Sequence, residues 1–104
     1  TMTNHEKEVA ALKDLFQRYL TKTKENKDVF TQFKLPAKCS YDSLIRLLTE
    51  AYEHTGNYPT DKMHRWLGFS QGVLSVIGVI DVDEERDFTR PYLHSYHDEK
   101  PATF

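Results

Sequence analysis

Apolar residues recur along most of this chain at the three-and-four spacing of one helix face, and nowhere do they sustain the alternation of a half-buried strand. Val9, Leu12, Leu15, Phe16, Tyr19 and Leu20 predict a first helix over residues 5–23. Glu6 and Glu8 lie near its start and Lys22 and Lys24 near its end, the charge order that complements the backbone dipole. Tyr41, Leu44, Ile45, Leu48, Ala51 and Tyr52 predict a second helix, capped by Ser40 and closed near His54, with Gly56 available for a left-handed cap. Met63, Trp66, Leu67, Ser70, Val73, Leu74 and Ile77 predict a third behind Thr60 as cap. It should end at Gly78, with Val79 and Ile80 folding back behind that glycine. A fourth helix is predicted from Asp81, with Glu84 three residues on as a variant capping box, and it carries Val82, Glu85, Phe88 and Thr89. At Arg90-Pro91 a break or restart is expected, because the ring removes an amide and clashes with the preceding turn; Tyr92, Leu93 and Tyr96 then pack a last short helix. Residues 25–38 stay open. Val29, Phe30, Phe33 and Leu35 need burial, in a short helix or in a loop laid over the core and closed by Pro36.

The expected architecture is an all-α, single-domain bundle of about four main helices over residues 1–104, with 98–104 as a flexible tail. At 104 residues there is room for one core and little for a second domain or a deep cofactor cavity. A hydrophobic share of 38% with 12% aromatics excludes a disordered chain. Cys39 is the single cysteine, so no internal disulfide can form, a usage that suits a reducing cytoplasm. No apolar run approaches the ~20 residues of a membrane span. Residues 1–60 carry net charge +1 and residues 61–104 net −3, which makes the second half a poor surface for phosphates and a nucleic-acid partner unexpected.

The third helix is the most informative segment. Opposite its apolar face runs a second stripe of Arg65, Gly68, Gly72 and Ser75, flanked by Phe69 and Val76. A glycine inside a helix costs about 1 kcal/mol relative to alanine, so two of them four apart need a compensating reason. Close approach of another backbone is the usual one. The first expectation is that the first or second helix crosses tightly there. The alternatives are an interface with a partner or a second copy of the chain, and a ligand seat above the glycines. Trp66 is expected in the core, and Gln71 is expected to bridge backbone groups of a neighbouring helix.

Residues 81–87 read Asp-Val-Asp-Glu-Glu-Arg-Asp, and helix-start electrostatics explain part of that acidity. Glu84, Glu85 and Asp87 are conceivable acid/base or hard-cation groups, but their spacing matches no calcium loop, and a solvated helix start is the expectation. Arg86, Arg90 and His94 are four apart and can line one helix edge, either pairing with the acidic cluster or, with Tyr92, binding an external carboxylate, phosphate or protein. His94-x-x-His97-Asp98-Glu99 has a metal-like spacing on a tail and is not expected to hold a metal. His5, His54 and His64 are expected at the surface. No phosphate-cradling loop, nucleophile elbow or paired zinc motif is present, so neither a catalytic set nor a cofactor is expected.

The runs Met63-His-Arg-Trp-Leu-Gly-Phe-Ser-Gln-Gly-Val-Leu74 and Ile80-Asp-Val-Asp-Glu-Glu-Arg-Asp-Phe-Thr-Arg-Pro91 resemble small accessory proteins of tailed bacteriophages and prophages, over about residues 58–97. The resemblance implies action in the cytoplasm of an infected bacterium, and it carries no activity with it. The expectation is a non-enzymatic accessory protein that binds a host or phage protein, in some homo-oligomeric form. The alternatives are a small nucleotide or signal-molecule binder built on Arg86, Arg90, Tyr92 and His94, and a nucleic-acid-binding regulator using Lys22, Lys24, Lys27, Lys34 and Lys38.

Overall fold

The computed structural model describes residues 1–94. Its long elements are α1 (Asn4–Glu25), α3 (Tyr41–His54), α4 (Thr60–Val76) and α5 (Val82–His94), with a single-turn α2 (Lys27–Phe30) and a 3₁₀ turn (Ala37–Cys39) between α1 and α3. The fold is the expected small all-α domain, with no strand among the described residues.

α1 is the spine. It starts earlier than its apolar pattern because Thr3 and Glu6 form a reciprocal capping box: the Glu6 amide donates to Thr3 Oγ1 at 3.1 Å, and the Thr3 amide donates to Glu6 Oε1 at 2.9 Å. The hydrogen bond from the Thr3 backbone holds the Glu6 carboxyl below its ordinary range. Leu12, Leu15, Phe16 and Tyr19 are fully enclosed, and α3, α4 and α5 all pack on α1. Two buried threonines close their hydrogen bonds locally. Thr23 donates to the Tyr19 carbonyl and Thr55 to the Ala51 carbonyl, so neither hydroxyl is orphaned in the core.

Residues 25–38 form the short α2 and a loop that ends at Pro36, which puts Phe30 in the core and leaves Phe33 exposed. Ser40 caps α3 as expected, accepting from the Ser43 amide at 3.2 Å. Two expected caps are displaced. Thr60 is the first residue of α4 rather than its cap, and Pro59, preset near φ −55°, occupies the cap position without a side-chain bond. Gly56 is not left-handed; α3 ends on Thr55 in right-handed geometry, and the Asn57 and Tyr58 amides reach back to the His54 carbonyl.

Gly78 does take the left-handed conformation, at φ 81°. The chain then reverses so that the Val79 amide bonds the Leu74 carbonyl at 2.8 Å and Ile80 is buried behind the cap, as the sequence suggested. Asp81 caps α5 through the Glu84 amide at 3.0 Å. The expected break at Arg90-Pro91 does not occur, and α5 continues through Pro91 to His94. Asp87 and Pro91 are both exposed, so the carbonyl that loses its donor faces water.

The two turn glycines therefore separate in behaviour. Gly78→Ala forces a side chain into left-handed backbone and should lower stability by about 1 kcal/mol, although nothing lies within 4 Å of the added carbon. Gly56→Ala meets only Val9 Cγ1 at 3.8 Å, an ordinary contact, and should be neutral or stabilising by up to about 1 kcal/mol. Paired denaturant titrations check both.

Candidate functional site

α5 sets Glu85 and Thr89 on its inner side, and Glu85 is 6% exposed. Its carboxylate is saturated with donors. Arg18 Nε reaches Oε1 at 2.8 Å and Nη2 reaches Oε2 at 3.2 Å, in a two-pronged pair. The Tyr19 hydroxyl donates to Oε1 at 2.7 Å and itself accepts from Gln71 Nε2 at 3.0 Å. The Arg18 guanidinium also lies 3.7 Å over the Phe88 ring. Burial raises the Glu85 carboxyl, but the hydrogen bonds from Arg18 and Tyr19 outweigh it and hold it below the ordinary range. The hydrogen bond to Glu85 pushes the Arg18 guanidinium up against a smaller desolvation effect. Burial pushes the Tyr19 phenol up. This is a structural knot of two fixed charges joining α1, α4 and α5. It is not a proton-transfer site, because an ionised carboxylate with three donors has no proton to give near neutral pH.

The knot corrects three expectations. Glu85 is not part of a solvated helix start. Gln71 bonds a side chain, Tyr19, rather than a neighbouring backbone. His64 is half-buried, with Nε2 at 2.9 Å from Glu8 Oε2, and ties α4 to α1. Arg18 and Tyr19 were missed as polar partners, because periodicity marks Tyr19 only as apolar. The available signal was Glu85 itself, the one carboxylate sharing a helix face with Val82, Phe88 and Thr89.

The expected tight crossing at the glycines is also overturned. Gly68 and Gly72 are exposed, and a carbon added to either meets no atom within 4 Å. Met63, Leu67, Ser70 and Leu74 fill the inner face of α4, so Arg65, Gly68, Phe69, Gly72 and Val76 point outward. Phe69 is 39% and Val76 78% exposed. An apolar groove of about 360 Å³ runs beside them, walled by Leu35, Pro36, Cys39, Phe69, Val73 and Val76. Phe69 is shared with a second hollow lined by Lys38, Arg46, Arg65 and Trp66. Gly72 is shared with a third, of about 260 Å³ between α4 and α5, reached by Gln71, Ser75, Val82, Arg86 and Thr89. The three hollows make one continuous strip along α4. Trp66, expected in the core, is half-buried at its edge, 6.1 Å edge-on to Tyr58, with Lys62 Nζ 4.9 Å from its ring.

The four residues expected to form a binding site do not converge. Arg86 reaches the hollow between α4 and α5 and pairs with Asp83 at 3.5 Å. Arg90 pairs with Asp87 at 3.6 Å, in the exposed i to i+3 arrangement. Tyr92 stacks on Phe88 with ring centres 5.5 Å apart and packs against the core. The side chain of His94 lies outside the described residues, as does the rest of the His94–Glu99 metal-like run. His54 is half-buried and stacks on Tyr58 at 4.9 Å. Among the described residues no three His, Cys, Asp or Glu side chains gather in a metal-binding group, and no helix is long and apolar enough to cross a membrane.

Comparison with protein-family models, curated proteins and solved structures gives no match to this chain.

Glu85→Ala strips a buried partner from Arg18 and should cost about 3 kcal/mol, the low end of the range for a broken buried pair because Arg18 reaches solvent. Arg90→Ala should stay within about 0.5 kcal/mol. Because the Glu85 carboxyl is held below its ordinary value of 4.5, the pair's contribution is full above that value and is lost as pH falls through the lower, folded-state value. Denaturation of wild type and Glu85→Ala from neutral to acid pH should therefore show a gap that narrows only at the acid end.

Proposed function

We propose that the protein is a non-enzymatic binding module whose working surface is the outward face of α4, acting on a host or phage protein in the bacterial cytoplasm that the phage resemblance implies. The observation that carries this reading is the pair Phe69 and Val76, exposed beside two glycines that no part of the chain covers. An apolar residue alone at a surface is ordinary, whereas a contiguous apolar strip on a small domain marks an interaction site. The glycines add depth, since a flat helix face with no side chains at two successive turns admits a partner's backbone closely. A small-molecule reading centred on Arg86 is less favoured, because its hollow of about 260 Å³ is shared between a structural knot and open solvent and falls below the ~300 Å³ of typical ligand sites.

A photocrosslinking side chain placed at position 69 or 76 in bacterial cells tests the surface. Covalent protein adducts are expected from both positions and not from position 14, on the exposed side of α1. Gly72→Leu should suppress the adducts without lowering the melting temperature, since the added side chain has room within its own chain and removes about 1 kcal/mol of glycine cost. Reversing Lys24, Lys27 and Lys34 together should leave the adducts in place. Adducts from position 14 alone, or none from 69 and 76, would defeat the reading.

A further inference from the structure

We infer that the partner seated on this strip is a second copy of the chain, packed with the two α4 helices antiparallel. This rests on the reading of α4 as the binding face and names its occupant. The strip is electrically polar along its length. At the end near the α4 N-terminus stand Lys38, Arg46 and Arg65, with Asp61 the one carboxylate, already 3.1 Å from Arg65. At the other end, past Gly72 and Val82, the start of α5 presents Asp81, Asp83 and Glu84, all exposed, before Arg86 supplies the first cation. Between them lies the apolar groove of Leu35, Pro36, Phe69, Val73 and Val76.

A surface that is basic at one end, acidic at the other and apolar between complements itself when turned about a two-fold axis, because each end then meets its opposite. A parallel arrangement would set like charges together at both ends. The steric pattern agrees with the antiparallel one. A two-fold axis near Gly72 opposes Gly68 of each copy to Val76 of the other, which matches the most exposed apolar side chain on α4 to a position without a side chain. The helix dipoles also run oppositely in this pairing, with the α4 N-terminus of one copy beside the C-terminus of its mate. The junctions are solvent-exposed, so they act mainly on register and specificity, while the groove excludes water.

Charge exchange between copies provides the test, read by light scattering or sedimentation at micromolar to millimolar protein. Wild type is expected to dimerise, more strongly at low than at high salt. Arg46→Glu with Arg65→Glu makes both ends acidic, and Asp83→Lys with Glu84→Lys makes both basic. Each double variant alone should be a monomer with a melting temperature close to that of the wild-type monomer. Mixed in equal amounts, they should recover an equimolar heterodimer, an outcome that neither misfolding nor loss of a third-party site can produce. Monomeric wild type over the whole range, or reversed variants that dimerise as wild type does, overturns the inference. The two readings fail separately. If the crosslinker at position 69 captures a different protein while wild type stays monomeric, the α4 face is still a binding surface and only the self-pairing is wrong. If wild type dimerises but substitution of Phe69 by Arg leaves the dimer intact, the dimer forms elsewhere and the self-pairing on α4 is wrong.

Discussion

The carboxylate of Glu85 is the constraint from which the rest of the arrangement follows. An acid placed on the inner side of a helix must find donors or unfold the helix from its neighbours, since an unpaired buried charge costs several kcal/mol. Here the donors come from one other helix directly and from a third by relay: Arg18 and Tyr19 on α1, then Gln71 on α4 through the tyrosine hydroxyl. That chain of bonds fixes more than the docking of α5. It sets the rotation of α4 about its own axis, because Gln71 must face α1 while Leu67 and Leu74, a turn to either side, remain in the core. His64, bonded to Glu8 on α1 near the other end of α4, fixes the same rotation a second time.

Once that rotation is set, the opposite side of α4 has no element to cover it. α1 and α3 pack on α4's inner face, and the loop through Pro36 reaches only to the edge of the groove. Exposure of Phe69, Gly72 and Val76 is thus a consequence of satisfying a polar knot elsewhere. A neutral residue at position 85 would relax the requirement and would allow α5 or the 26–40 segment to slide over the apolar strip. The buried ion pair then acts as a specificity device, choosing one packing of the helices over competitors that bury more carbon. Buried pairs are weak contributors to stability but can select register in this way.

Helix number, helix type and most of the core were legible because they depend on periodicity and local capping. The Ser40 and Asp81 caps, the Gly78 reversal and the burial of Ile80 behind it all come from interactions spanning a few residues, and those residues stand adjacent in the chain. What was not legible depends on which helix lies beside which. The stripe of Gly68 and Gly72 was correctly placed opposite the core face, yet periodicity cannot say whether that opposite face meets another helix or solvent. The same gap hid the knot. Arg18 is separated from Glu85 by 67 positions, and no local rule pairs them. Pro91 failed for a different reason: the rule against proline in helices counts a lost hydrogen bond as uncompensated, whereas here the orphaned carbonyl is near the helix end and faces water, so the cost is small.

The glycines pose the remaining energetic question. Two interior glycines on α4 forgo about 2 kcal/mol of helix stability relative to alanine, in a helix where neither is required by backbone conformation or by the packing of this chain. Alanine at both positions would fit without contact and would stabilise the isolated fold. Small domains have only some 5–15 kcal/mol of net stability, so that sacrifice is a sizeable fraction of the whole. Folding of the single chain supplies no compensation for it. A molecule laid against α4 does, because every ångström of closer approach between helices brings more carbon into contact, and dispersion rises steeply as gaps of even half an ångström close. The glycines are therefore intelligible as features of an assembled state, in which the space left empty beside Phe69 and Val76 is filled by another backbone.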